Sequence, residues 1–158
     1  MTTALVLGAG GQVGFELTRG AWPAGWTTRG LAHADLDVTD EAATRAAFAA
    51  IAPDIVVNAS AYTAVDRAES EPEKAFAVNR HAVATLAQLC RARDVPLLHV
   101  STDYVFDGNK DGAYGEDDPV APLGVYGASK EAGEQALRAI WPRHLILRTA
   151  WVYGAHGH

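Results

Sequence analysis

Leu5-Val-Leu-Gly-Ala-Gly-Gly-Gln-Val-Gly14 decides the fold, because it sets glycines at 8, 10, 11 and 14 between a short apolar run and an amphipathic segment. A glycine-rich turn joining a strand to a helix is a phosphate loop: the helix N-terminus offers unpaired N–H groups and the positive end of its dipole. Gly8 permits the tight turn, Gly11 lets the backbone approach a pyrophosphate, and Gly14 allows the helix to lie close on the sheet. The spacing is G-x-x-G-x-x-G (Gly8, Gly11, Gly14), with the third glycine one residue later than in the G-x-G-x-x-G fingerprint.

Outward from this turn, apolar runs alternate with helical patterns, the signature of βαβ units. Strands are expected at 3–7, 26–31, 55–58, 97–101 and 145–148. Helices are expected at 12–19, 40–50, 73–93 and 125–140, with Asp40 as a cap and Pro96 and Pro142 marking the last two exits. The predicted class is α/β, a Rossmann-like doubly wound parallel sheet with helices on both faces, in one NAD(P)-binding domain over residues 1–158. The stretch from Asp103 to Gly124, acidic and rich in Gly and Pro, reads as a flap over a site.

A formal net charge of −6 gives no general attraction to phosphate backbones or anionic lipid, which argues against nucleic acid or membrane partners. The single cysteine, Cys90, lies in an apolar helical stretch and reads as a buried thiol in a reducing cytoplasm. No apolar stretch has spanning length.

At the end of the second strand, Arg29-Gly-Leu-Ala-His33 lacks the acid that would bond a ribose 2′-hydroxyl and repel a 2′-phosphate. This favours NADP(H), with NAD(H) as the alternative and His33 as a candidate cofactor contact. Asp35-Leu-Asp-Val-Thr-Asp40 puts Asp37 and Val38 where a carboxylate and a backbone N–H can meet the adenine, and Asn58-Ala-Ser-Ala-Tyr-Thr63 brings small residues to the carboxyl end of the sheet.

Tyr126-Gly-Ala-Ser-Lys130 sets a phenol and an ammonium four residues apart, on one helix face. A cation beside the phenol should favour its ionised form and bring it toward the operating range of an acid–base catalyst. His99-Val-Ser-Thr-Asp103 ends the fourth strand with two hydroxyls, of which Thr102 is the preferred partner for a substrate carbonyl oxygen and Ser101 the rival. Asn79 stands in mid-helix, an unfavourable place for a residue that competes for backbone hydrogen bonds.

With these residues placed, the chain resembles the extended short-chain dehydrogenases and, within them, the dTDP-4-dehydrorhamnose reductase family. The stretches that carry the likeness are Gly10 to Gly14, Val57 to Glu69, Ser101 to Gly108, Pro122 to Lys130 and Arg148 to Gly154. The resemblance implies reduction of the 4-keto group of a dTDP-6-deoxy-hexulose to give dTDP-L-rhamnose. In it, Tyr126 protonates the alkoxide, Thr102 holds the carbonyl, and Lys130 tunes Tyr126 and binds the nicotinamide ribose. It further implies sugar contacts from Asp103 and Trp151, cofactor contacts from Gly11, Gln12, Val13, Asp37, Val38, Ala61, Tyr62 and Thr63, and a helix kinked at Asn79 that serves a water-linked proton relay to the lysine. Family members continue past His158 into a substrate lobe, so the resemblance implies that this lobe, any homodimer contacts and any Mg²⁺ site lie outside the chain. His156 and His158 have no third ligand in view, and no metal is expected. Two alternatives stay open: a non-catalytic NADP-binding regulatory subunit similar to that of methionine adenosyltransferase, and another sugar-nucleotide epimerase or reductase.

Overall fold

Runs of Val, Leu and Ile bounded by turns form buried parallel strands. In the computed structural model, which describes residues 1–154, five of them make one sheet: β1 (Thr2–Leu7), β2 (Trp26–Leu31), β3 (Ile55–Asn58), β4 (Leu97–Thr102) and β5 (His144–Thr149). All pairings are parallel and the spatial order is β2-β1-β3-β4-β5. The predicted α/β doubly wound class is therefore the observed one.

The connections explain how both faces are covered. α1 (Gln12–Arg19) crosses from β1 to β2 in one direction; α2 (Glu41–Ile51), α5 (Ala82–Ala92) and α6 (Val125–Ile140) return in the other. With right-handed crossovers this puts α1 on one face and the other three on the opposite face. The main core forms on the three-helix side, where Phe48, Val83, Leu86, Cys90, Leu137 and Trp141 pack against Leu5, Leu7, Val56 and Leu97. Trp141 closes the bottom of this core, its indole N–H donating to the Val95 carbonyl at 2.8 Å. On the other face Leu145 and Leu147 of β5 are exposed, because α1 packs over β1 and β2 at the far edge of the sheet.

The segment predicted as one helix over 73–93 is broken in three. α4 (Pro72–Phe76) passes into a π-helical turn (Ala77–His81) and then into α5. Two short elements went unpredicted: α3 (Val65–Ala68) and a 3-10 turn over Asp103–Val105. At four and three residues they carry too little periodicity to stand out in a sequence. Elsewhere the expected boundaries fall within a residue of those observed, and Asp40 caps α2 by accepting the Ala43 N–H at 2.9 Å. Among the described residues no helix is long and apolar enough to cross a membrane. His156 and His158 lie outside the described residues.

Candidate active site

The strand order reverses beside β1, whose two neighbours, β2 and β3, send their chains to opposite faces. Ligands of open α/β sheets lie at such a point, beyond the carboxyl ends of the strands. A cleft of about 880 Å³ opens there, lined from every strand end, from Gly8 after β1 to Thr149 at the end of β5.

One end of the cleft is the glycine turn. Gly8 has φ +77°, and a Cβ there would lie 2.6 Å from the Ser60 nitrogen. At Gly14 a Cβ would collide with the Gly8 carbonyl, so the first turn of α1 can only rest on the loop without a side chain. The first intrahelical bond runs from Phe15 N–H to the Gly11 carbonyl at 2.8 Å, so the N–H groups of Gln12, Val13 and Gly14 precede it and point out of the helix end. Gln12 also presents a buried side-chain oxygen with no hydrogen-bond partner among the described residues. A cradle of this shape, with outward N–H groups and an orphan acceptor, fits the pyrophosphate and polar groups of a dinucleotide.

Nearly all the residues expected at the site line this cleft: Gly8, Gly11, Gln12, Val13, His33, Asp37, Val38, Ala61, Tyr62, Thr63, Thr102, Asp103, Tyr126, Lys130 and Trp151. Gly14 does not, since it is buried beneath the turn. Arg29 is exposed short of the strand end and is not part of the lining. Asp37 is held in its own turn, accepting from the Thr39 N–H (2.9 Å) and hydroxyl (2.7 Å), and these bonds hold its carboxyl below the ordinary range. Tyr62 lies along the cleft wall with its hydroxyl turned away, donating to Glu71 at 2.6 Å.

At the other end stand the hydroxyls and the lysine. Thr102, the last residue of β4, accepts the Tyr104 N–H at 3.2 Å, donates to Asp103 at 3.1 Å, and lines the same cleft as the Tyr126 phenol. Ser101 points the other way, into the core, donating to buried Glu134 at 2.5 Å. The alternation of a strand thus settles which of the two hydroxyls meets the phenol. Lys130 is buried under Tyr126, its ammonium donating to the Val100 carbonyl at 2.7 Å.

The expectation that Lys130 makes Tyr126 more acidic is not met. Burial pushes the phenol up, the Thr102 hydroxyl pulls it down, and the negative charge of Asp103 adds to the rise. The net direction is upward because burial outweighs the rest, and the lysine nitrogen is directed at the Val100 carbonyl and at His99, 3.4 Å away. Lys130 itself is lowered to about 8, chiefly by burial and against the charge of Glu134.

Asn79 is buried at the π turn. Its side-chain oxygen accepts the Tyr62 N–H at 2.9 Å, and its amide donates to the Tyr62 carbonyl (3.1 Å) and to Ser129 (2.9 Å). The asparagine therefore locks the cleft wall to α6, by hydrogen bonds that no α-helical backbone could supply. Two buried polar residues escaped the sequence reading. Asn58 donates to His99 Nδ1 at 3.1 Å, and His99 occupies the core face of β4 between Leu97 and Ser101. A histidine alternating with a serine on the apolar side of a parallel strand was the available signal.

A phosphate loop at the switch point of a parallel sheet, facing a tyrosine–lysine helix across a strand-end hydroxyl, defines a Rossmann-type domain of the short-chain dehydrogenase/reductase class. Within it, the chain belongs to the family described as RmlD substrate binding domain, whose model matches residues 1–158. It is 49% identical over 154 residues to the dTDP-4-dehydrorhamnose reductase of Streptomyces griseus, covering 97% of this chain and 51% of that protein. Against the Escherichia coli K12 protein of the same name the identity is 43%, over 98% of this chain and 52% of the relative. Among solved structures, the Bacillus anthracis dTDP-4-dehydrorhamnose reductase in complex with NADP superimposes with a TM-score of 0.95 at 33% identity, covering 100% of this chain and 57% of that one. The chain spans about half the length of the curated relatives it matches.

Proposed function

We propose that this chain is the cofactor-binding and proton-transfer half of an NADPH-dependent reductase that converts the 4-keto group of dTDP-4-dehydrorhamnose to the alcohol of dTDP-L-rhamnose. The observation that carries the reading is the convergence of Thr102, Tyr126 and Lys130 on the same cleft as the glycine turn. In this reading Gln12 and Val13 hold the pyrophosphate on their N–H groups, Gly11, whose own N–H is spent on the Gly8 carbonyl, lets the backbone come close to it, and Ala61, Tyr62 and Thr63 form the wall along which the dinucleotide lies. At the adenosine end, His33, Asp37 and Val38 receive the nucleoside, and the missing acid there accommodates a 2′-phosphate. When bound, NADPH supplies the hydride.

The chain supplies the rest. Thr102 donates a hydrogen bond to the substrate carbonyl oxygen, and Tyr126 delivers its proton to that oxygen as negative charge develops there. Lys130 holds the nicotinamide ribose. Asp103 and Trp151, both exposed at the cleft mouth, meet the sugar. The NADP-bound relative and the buried thiol at Cys90 support a reducing, cytoplasmic setting.

The test is oxidation of NADPH by the protein in the presence of the 4-keto sugar nucleotide, with parallel fluorescence titrations of NADPH and NADH. Tyr126→Phe should lower kcat by about 10² to 10⁴-fold while leaving NADPH binding intact, the usual range for a lost general acid. Gly11→Asp should abolish binding. In a chain extended to the length of its relatives, tight NADPH binding without turnover would sink the reductase reading and favour a non-catalytic nucleotide-binding role; no binding of either nucleotide would sink both.

A further inference from the structure

The buried histidine behind the lysine has one allowed tautomer. Asn58 is oriented by Ser60, whose backbone N–H (3.1 Å) and hydroxyl (2.6 Å) both donate to its side-chain oxygen. A flipped amide would set its NH2 against the Ser60 N–H, donor to donor, so the amide nitrogen faces His99 and donates to Nδ1 at 3.1 Å. With Nδ1 an acceptor, a neutral ring carries its proton on Nε2. Burial together with the charge of Lys130 keeps the ring neutral, holding it well below the ordinary histidine value. That Nε2–H points at the Lys130 nitrogen, 3.4 Å away.

An ammonium has donors only, so the charged lysine and the Nε2–H oppose each other, whereas a neutral amine would accept the proton of that N–H. We propose that His99, fixed by Ser60 and Asn58 as its Nε2–H tautomer, is a positioning residue that weakens the hold of Lys130 on its proton, so that the lysine exchanges protons during turnover instead of acting as a permanent cation. The proposal rests on the reductase reading only for its consequence in turnover; the tautomer and the titration of Lys130 are independent of it. The other ionisable groups bearing on Lys130 are on its own helix: Tyr126 one turn earlier and Glu134 one turn later. Glu134 favours the charged lysine, and its own charge is balanced by Arg138 of α6 and Arg148 of β5. Asn79 of the π turn and Asn58 of β3, which bond to Ser129 and His99 beside it, are both uncharged. His99 is thus the group on β4 that acts against Glu134.

The first measurement is long-range ¹H–¹⁵N correlation of the His99 ring in the unaltered protein, together with the pH titration of the Lys130 side chain by ¹³C and ¹⁵N shifts. The expected result is the Nε2–H tautomer and a lysine midpoint near 8; an Nδ1–H tautomer overturns the proposal whatever any variant does. The second is His99→Phe, which removes the opposing donor and should raise the midpoint by about one pH unit, with the alkaline limb of kcat moving by the same amount. His99→Gln, which restores a donor N–H, should bring it back. An unmoved midpoint in a folded His99→Phe protein overturns the proposal. A correct tautomer and midpoint in a protein that binds no NADPH would refute the function proposed above and leave the role of His99 standing.

Discussion

Lys130 shows how a single buried charge couples chemistry to stability. Between about pH 8 and 10.5 the unfolded chain keeps a proton on this lysine that the folded chain has already released. Unfolding takes up protons in that window, so this group makes stability rise with pH, by about 3 kcal/mol across it, and lowers stability by that amount at neutral pH. Lys130→Met should therefore flatten the pH dependence of the unfolding free energy between 8 and 10.5, as urea titrations at several pH values would show. A slope equal to that of the unaltered protein would mean that the lysine is charged and well solvated in the folded state. The residue types of this site were legible in the sequence, because Tyr126 and Lys130 share a helix face and Thr102 ends a strand. What could not be read was the direction in which each polar atom points: the turning of Lys130 toward Val100 and His99 depends on packing between β4 and α6 that no local spacing encodes.

Among the elements, α2 ends on a conformation that its sequence does not favour. Ala52 caps it with φ 46°, ψ 59°, a left-handed position that costs an L-residue roughly 1–2 kcal/mol and that glycine adopts freely. Part of the gain from Ala52→Gly is offset by the greater freedom of glycine in the unfolded chain. A net stabilisation of about 0.5 kcal/mol is expected, visible as a higher urea midpoint with unchanged slope; a lower midpoint would show that the alanine methyl contributes packing that outweighs the backbone strain. Helices with a cap and a clear apolar stripe, such as α2 and α6, were legible to within a residue. The 73–93 segment was not, because its apolar periodicity continues through a π turn. The turn's cause is tertiary: Gly133 of α6 packs against the Asn79 carbonyl, where a Cβ would collide, and Asn79 reaches across to Tyr62 and Ser129.

At the scale of the molecule, Glu134 ties three elements together from a fully buried position. It accepts from Ser101 of β4, from Arg148 of β5 in a forked pair at 2.7–3.2 Å, and from Arg138 one turn along α6. Burial raises its carboxyl, but the Arg148 and Ser101 bonds and the two guanidinium charges outweigh that and hold it below the usual value. Its stabilising contribution is therefore complete above the ordinary carboxyl range and is lost as the pH falls through the lower folded-state value. Glu134→Gln leaves Arg148, itself 16% exposed, without its counter-charge. A loss of about 3 kcal/mol is expected, lowering Tm by roughly 10 °C and weakening the acid-side fall in stability. Calorimetry at pH 7 and pH 4 would check both, and an unchanged Tm at pH 7 would show that the network contributes orientation without stability.

The strand order also bears on how the polypeptide acquires its structure as it leaves the ribosome. β3 joins the free side of β1, β4 joins β3, and β5 joins β4, so after the first pair every new strand adds at the same growing border and none must be inserted between partners already made. Long-range parallel pairing is slow to form, but here each step needs only residues that have already been synthesised. Among the described residues β5 is the latest strand to join, and its outward-facing Leu145 and Leu147 are, at that stage of synthesis, apolar surface on which a nascent chain can meet wrong partners.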